Sequence, residues 1–209
     1  VVSGLILVIG ASGGVGKELH SRFEGEGFDV VGTHNTNPSI TSRGSHTEGL
    51  DVSNWAEVEE FCSRFSGMTL RVVNCAAISD AQPLHKSDPE QWARTLTLNV
   101  LGAYNISRAC LPLMREQRSG SIVNFSSVVT DRVVFGSSAY IASKAAIAAL
   151  TKAISFENAS YGVSAGVIEL GYSEVGLISS VPDDLKSKLR TTIPTGRFCS
   201  VDEIYNTVK

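Results

Sequence analysis

A tyrosine at position 140, a lysine four residues later and a serine thirteen residues earlier, in the stretch SIVNFSSVVTDRVVFGSSAYIASKAA, carry the most chemistry in this chain. If the alanine-rich run after Tyr140 is helical, Tyr140 and Lys144 lie one turn apart on the same face, and the ammonium sits near the phenol. A free tyrosine ionises near pH 10. A cation about 4 Å away in a partly desolvated site, at an effective dielectric near 20, is worth up to ~4 kcal/mol. Each pKa unit corresponds to about 1.4 kcal/mol, so a drop of roughly two or three units is physically available. Ser127 ends an apolar run that reads as a strand, and its hydroxyl can donate to a carbonyl while Tyr140 supplies or removes the proton.

Tyrosine and lysine at this spacing also occur on ordinary helix surfaces, so the group gains its weight from a second motif at the other end of the chain. Residues 5–9 are a short apolar run that reads as a buried strand. Gly10-Ala11-Ser12-Gly13-Gly14-Val15-Gly16 follows directly and opens a helical pattern through Leu19 and Phe23. Glycines let the backbone turn tightly and approach a pyrophosphate, while free amides and the dipole at a helix N-terminus favour negative charge. A strand, a glycine turn and a helix start in this order point to a dinucleotide held by Gly10, Ser12, Gly13, Gly14, Val15 and Gly16, although the spacing is wider than G-x-G-x-x-G.

These residues need a scaffold, and the apolar pattern supplies one. Strands are expected at 5–9, 29–33, 70–74, 121–125 and 163–170, with a short one just before Asp51. Helices are expected to begin near Gly14, Asn54, Pro89 and Tyr140, and a further one near Val201. Strand and helix in alternation imply right-handed crossovers and a parallel sheet with helices on both faces, a three-layer Rossmann-type α/β fold. Ligands in such sheets bind beyond the carboxyl ends of the strands. Gly10, Asn74, Ser127 and Gly171 all fall at such ends.

At 209 residues and 43% hydrophobic content, the chain is long enough for one sizeable core, and it reads as a single domain over 1–209 with no linker or internal repeat. A net charge of −3 gives no reason to expect nucleic acid or an anionic membrane as partner. The first apolar stretch is too short to span a bilayer. Cys62, Cys75, Cys110 and Cys199 have no C-x-x-C or metal spacing and read as reduced packing thiols of a cytoplasmic protein. His20, His34, His46 and His85 form no metal pattern and are expected at the surface or at caps, and Trp55 and Trp92 read as packing residues. The spacing to Tyr140 selects Ser127 over Ser126, which reads as structural. The polar stretch 172–193, between a strand end and Pro194, reads as a mobile lid within 171–194.

Taken in order, these motifs resemble the short-chain dehydrogenase/reductase family, over essentially the whole sequence. That family has the wider glycine spacing and carries Ser, Tyr and Lys in this order. Asn74-Cys75-Ala76-Ala77 looks like its Asn-Asn-Ala-Gly, which steadies the central strand and borders the cofactor, here through Asn74 and Ala76. Asp51-Val52 is similar to the pair that contacts adenine. Asn99 in LNVLGAYN matches the asparagine that completes a catalytic tetrad by holding a water against the lysine. IPTGRFCSVDEI is like the stretch after the lid of 3-oxoacyl-[acyl-carrier-protein] reductases. By the same resemblance Lys144 also bonds the nicotinamide ribose, and Gly171 lies beside the cofactor. Ile9 stands where the family usually has Thr, Ala77 where it has Gly, Leu170-Gly171 where it has Pro-Gly, and Val175 where a threonine commonly bonds the nicotinamide amide. The family usually continues past the helix near Val201 into a final strand, which the chain, ending at Lys209, is expected to lack.

An acidic residue at the end of the second strand would bind the ribose diol of NAD and repel a 2′-phosphate. GTHNTN has none. Thr33, His34 and Asn35 tolerate a phosphate, with Arg43 or Lys17 within possible reach; as plain loop residues they leave NAD open. The resemblance therefore implies an NADPH-dependent ketone reductase, with a 3-oxoacyl thioester as substrate, an acyl carrier protein as partner and a homo-oligomer, dimer or tetramer, as its state. A sugar, steroid or polyketide ketone is the alternative within the same chemistry. A protein that senses NADP(H) with little turnover is the alternative outside it, motivated by Ala77, Leu170 and Val175.

Overall fold

Runs of β-branched and leucine residues bounded by glycine and asparagine make the sheet, and helix caps set where each crossover begins. A computed structural model of the chain describes residues 4–36 and 47–209. In chain order the elements are β1 (Leu5–Ile9), α1 (Gly14–Gly25), β2 (Val30–His34), β3 (Glu48–Gly49), α2 (Trp55–Ser63), β4 (Leu70–Asn74), α3 (Pro89–Leu96), α4 (Gly102–Gln117), β5 (Gly120–Ser127), α5 (Ser138–Asn158), β6 (Val163–Leu170), α6 (Asp183–Thr191) and α7 (Val201–Val208). Asn54 caps α2 by accepting from the Ala56 amide at 3.1 Å. Asp88, followed by Pro89, caps α3, and Ser200 with Glu203 forms a reciprocal capping box on α7.

The six strands are all parallel in the order β3-β2-β1-β4-β5-β6. The order reverses between β1 and β4, so the crevice at their carboxyl ends is the place where the fold opens for a ligand. Strand β1 is buried on both faces, as a central parallel strand should be. Leu7 and Ile9 join Val58, Phe61, Leu70, Val72, Ile106, Met114 and Ile122 on the side of α2, α4 and α5. Ile6 and Val8 join Leu19, Phe23, Val73, Ile204 and Tyr205 on the side of α1 and α7. A buried polar chain ties the middle of the sheet to α5: Asn74 donates to Asn124 at 3.1 Å, and Asn124 donates to Thr151 at 3.0 Å.

Three features depart from the sequence expectation. Strand β5 runs on to Ser127, because β6 pairs with it residue for residue up to Leu170 opposite Ser127. The helix expected from Pro89 is two helices joined by a π-helical turn, Thr97–Leu101, that buries Asn99. His20, expected at the surface or a cap, is buried against Gly32 of β2, where a Cβ would lie 2.5 Å from its ring. His46 and Arg43 lie outside the described residues.

Candidate active site

A cleft of about 630 Å³ opens at the carboxyl edge of the sheet, floored by the ends of β1, β4, β5 and β6 and walled by the segment after β6. The glycine turn, the end of β2, Ser127, Tyr140, Lys144 and residues 175–178 all face into it. That is a volume suited to a small molecule or cofactor.

Ser127 reaches the cleft as the last residue of β5, and Tyr140 and Lys144 reach it from the first two turns of α5. Lys144 is the most buried of the three, at 4% exposure against 8% for Ser127. Its ammonium donates to the Phe125 carbonyl of β5 at 2.8 Å and stands 5.4 Å from the centre of the Tyr140 ring. Ser126, one residue from Ser127, donates to the Lys144 carbonyl at 2.9 Å, so strand end and helix are fastened together on both sides of the lysine. The Ser127 oxygen also accepts a long bond, 3.4 Å, from the Val129 amide.

Burial sets the protonation states. It pushes the Tyr140 phenol above its ordinary value, against a smaller opposing pull from the Ser127 hydroxyl. It pulls Lys144 down to about 8, with the nearby Cys75 acting weakly the other way. Both groups are shifted toward their neutral forms, as desolvation requires. The sequence argument expected the Lys144 cation to make Tyr140 more acidic. In the structure that ammonium is committed to a strand carbonyl and stands 5.4 Å from the ring centre, and loss of solvent has the largest effect on the phenol. A phenol that stays protonated at neutral pH and touches a second hydroxyl is a proton donor suited to a carbonyl oxygen or an alkoxide.

The opposite end of the cleft is built for close approach by an anion. Gly16 packs so tightly that a Cβ there would lie 2.3 Å from the Gly10 carbonyl oxygen, and at Gly14 a Cβ would lie 2.8 Å from the Gly176 Cα. The twelve-residue helix α1 starts at Gly14 and presents its free amides at this turn.

A short chain dehydrogenase family profile matches residues 4–186. The chain belongs to the short-chain dehydrogenase family. An acetoacetyl-CoA reductase of Allochromatium vinosum is 30% identical over 216 residues, covering 96% of this chain and 87% of the relative. A 3-oxoacyl-[acyl-carrier-protein] reductase of Staphylococcus aureus is 30% identical over 217 residues, covering 97% and 87%. Another of that name from Thermotoga maritima is 29% identical over 210 residues, covering 95% and 85%. As a short-chain dehydrogenase the chain is an oxidoreductase that uses a nicotinamide cofactor, and the glycine cradle with its free helix amides fits the pyrophosphate of such a group.

Not every residue matched to the short-chain dehydrogenase pattern faces the cleft. Gly10, Ser12, Gly13, Gly14, Val15, His34, Asn35, Val52, Ala76 and Gly171 line it together with Ser127, Tyr140 and Lys144. Gly16 supports the turn from behind. Asp51 spends its carboxylate on the Ser53 amide and hydroxyl, at 2.9 and 2.7 Å, in the turn that leads into α2. Asn74 bonds Asn124 and the Ala76 amide. Asn99 grips the backbone of Ile78, accepting from its amide at 2.8 Å and donating to its carbonyl at 2.9 Å, and donates to Ser143 at 3.0 Å. The side chain of Asn99 thus positions the segment after β4 that forms one wall. Thr33 holds the glycine turn to β2 by accepting from the Gly10 amide at 3.2 Å, and His34 is bonded to Thr47 at 2.8 Å. Sequence reasoning missed Ile78, Val128, Val129 and Ile178, apolar wall residues. Strand-end position marked the first three, but no chemistry in their side chains singled them out. Among the described residues no helix is long and apolar enough to cross a membrane.

Proposed function

We propose that the chain is an NADPH-dependent ketone reductase acting on a 3-oxoacyl thioester. The observation that carries this reading is the protonated Tyr140, with Ser127 and Lys144, opening onto the same cleft as the glycine turn. The residues lining the cleft support an uncharged, largely apolar ketone. Lys144 is the one cation among them, and no carboxylate or arginine is present to hold a charged keto acid. The names of the relatives from Allochromatium vinosum and Staphylococcus aureus point the same way. An acidic carrier protein as the bearer of the thioester is supported by the exposed Arg132, three residues after the cleft residue Val129, whose guanidinium reaches the Thr192 carbonyl at 3.4 Å.

A nicotinamide dinucleotide held at the glycine turn would supply the hydride for the carbonyl carbon. Ser127 and Tyr140 then donate to the ketone oxygen, and Tyr140 yields its proton as charge develops there. The ammonium of Lys144, fixed by the Phe125 carbonyl, stabilises the phenolate left behind. Asn99 holds the wall at Ile78 with its side-chain amide, and the replacement proton reaches Lys144 from water. The turn from Gly10 to Gly16 would hold the pyrophosphate. At the end of β2, Thr33, His34, Asn35 and Thr36 line the cleft without an acid, which favours the 2′-phosphate of NADP over the bare diol of NAD. The stretch 171–194, with α6, acts as the lid of a single catalytic domain.

The test follows the absorbance of the reduced nicotinamide on mixing protein with acetoacetyl thioester, a 2-keto acid or an aldose, each with NADPH and with NADH. The thioester with NADPH is expected to be at least about tenfold better in kcat/KM than any other pairing. NADPH binding without oxidation across the whole panel would instead favour a sensor of the dinucleotide.

A further inference from the structure

Helices α2 and α4 bury two thiols against each other. Cys62 lies in the last turn of α2 and Cys110 in the middle of α4, 1% and 0% exposed, with their sulfurs 3.6 Å apart. The reductase chemistry uses neither of them, and nothing in their sequence spacing, 48 residues, pairs them. The bond from Cys110 lowers the Cys62 pKa, with a smaller contribution from the Arg64 guanidinium, against an opposing effect of burial. The same bond, then burial, pushes Cys110 well up. Cys62, in the last turn of α2 and two residues from the Arg64 guanidinium, is the sulfur placed to attack, and Cys110, in the middle of α4, the one placed to resolve.

Sulfurs at 3.6 Å need to approach by about 1.5 Å to reach a disulfide bond length. The two helices are loosened where the thiols sit. Pro112, inside α4, has no amide to offer the Arg108 carbonyl, which removes the helix rung whose ends lie two residues to either side of Cys110. Helix α2 has nine residues and ends one residue after Cys62, so its last turn opens at low cost.

We propose that Cys62 and Cys110 form a reversible thiol–disulfide site that a hydroperoxide closes. The Cys62 thiolate attacks the peroxide, taking one oxygen as a sulfenic acid and releasing an alcohol or water. The Cys110 sulfur then attacks the Cys62 sulfur, displacing water and completing the S–S bond. The two thiols lose two electrons and two protons, and the peroxide is reduced by the same two electrons. The bridge ties together the two helices next to Val52, a cleft residue that α2 follows directly and whose carbonyl is held by Asn105 of α4 at 2.9 Å. Oxidation therefore stiffens this wall of the nucleotide end of the cleft.

The experiment treats the native protein with hydrogen peroxide, alkylates the remaining thiols, digests without reductant and reads the peptides by mass spectrometry. The expected product is a linked pair of peptides carrying Cys62 and Cys110, lighter by two hydrogens. Closure across 48 residues also raises Tm by roughly 5 to 10 °C. Dithiothreitol reverses both changes, and Cys62→Ala abolishes both; Cys62→Ser serves if the alanine variant does not fold. Recovery of Cys62 and Cys110 fully alkylated, or a link that forms only after unfolding in urea, would overturn the proposal. So would a peroxide-induced rise in Tm that survives in the Cys62 variant.

Discussion

Loss of solvent acts on Tyr140 and Lys144 alike, moving each toward its uncharged form, but the consequences for chemistry differ. A phenol held above its ordinary pKa remains an acid through neutral pH, whereas an ammonium brought down to about 8 is on the point of losing its charge. The reductive kcat/KM is therefore expected to fall as pH rises through about 8, because Lys144 then ceases to support the phenolate. Tyr140 itself titrates further into the alkaline range. A pH profile of NADPH oxidation checks this, with Lys144→Met removing the inflection near pH 8 and lowering the plateau by about a hundredfold. An inflection unchanged in that variant would assign it to another group. The residues of this site were legible as types and as an order, since serine at a strand end and tyrosine one helical turn before lysine are local patterns. Their charge balance was not. It depends on the Phe125 carbonyl, nineteen residues before Lys144, and on how deeply the lysine is covered.

The elements were legible where pattern is local and strong. Strand β1, an unbroken run of Leu, Ile and Val, and strands β4 to β6 appeared within about two residues of expectation, and Asn54 and Pro89 marked helix starts through capping and proline geometry. The break at Thr97–Leu101 was not legible, because a π turn has no composition of its own and is fixed by what Asn99 reaches across the fold. The same holds for α6, whose charged sequence reads as surface whether or not it is helical. Asn99→Ala tests the element-level role directly. It leaves the Ile78 amide and carbonyl without their partners, at a cost of about 2 to 4 kcal/mol in stability, and KM rises as the wall loosens. Urea denaturation and steady-state kinetics measure the two effects. At the other wall, Gly14→Ala forces the backbone at Gly176 outward and is expected to weaken NADPH binding by about tenfold or more, as read by titration.

For the whole molecule, the buried Lys144 is a liability to folding. Its folded pKa of about 8 lies below its ordinary 10.5, so between those values the folded chain holds fewer protons than the unfolded chain. This group's contribution to stability therefore rises with pH across that window and is least favourable below about 8. Cys75, raised from 9.0 to about 12 by burial, acts in reverse and lowers stability as pH climbs above 9. Lys144→Met is expected to stabilise the protein at pH 7 by about 1 to 3 kcal/mol, less than the full charge penalty because the Phe125 carbonyl loses its donor. Thermal denaturation at pH 7 and pH 9 reads this, and the gain should shrink at the higher pH. Leu101 of the π-helical turn, Tyr104 of α4 and Phe156 of α5 stand 42%, 46% and 89% exposed, apolar side chains that support the homo-oligomer the resemblance implies. Light scattering is expected to give a dimer or tetramer mass, and a monomer would count against it.

The account rests most directly on the hydroxyl of Tyr140. Replacing it in Tyr140→Phe removes one oxygen from a partly buried ring and leaves the glycine turn untouched. NADPH binding measured by fluorescence titration should stay within about twofold, while the rate of acetoacetyl thioester reduction falls by about a thousandfold or more. A variant that still turns over at a tenth of the original rate, with NADPH bound as before, would contradict the role of this phenol as the proton donor.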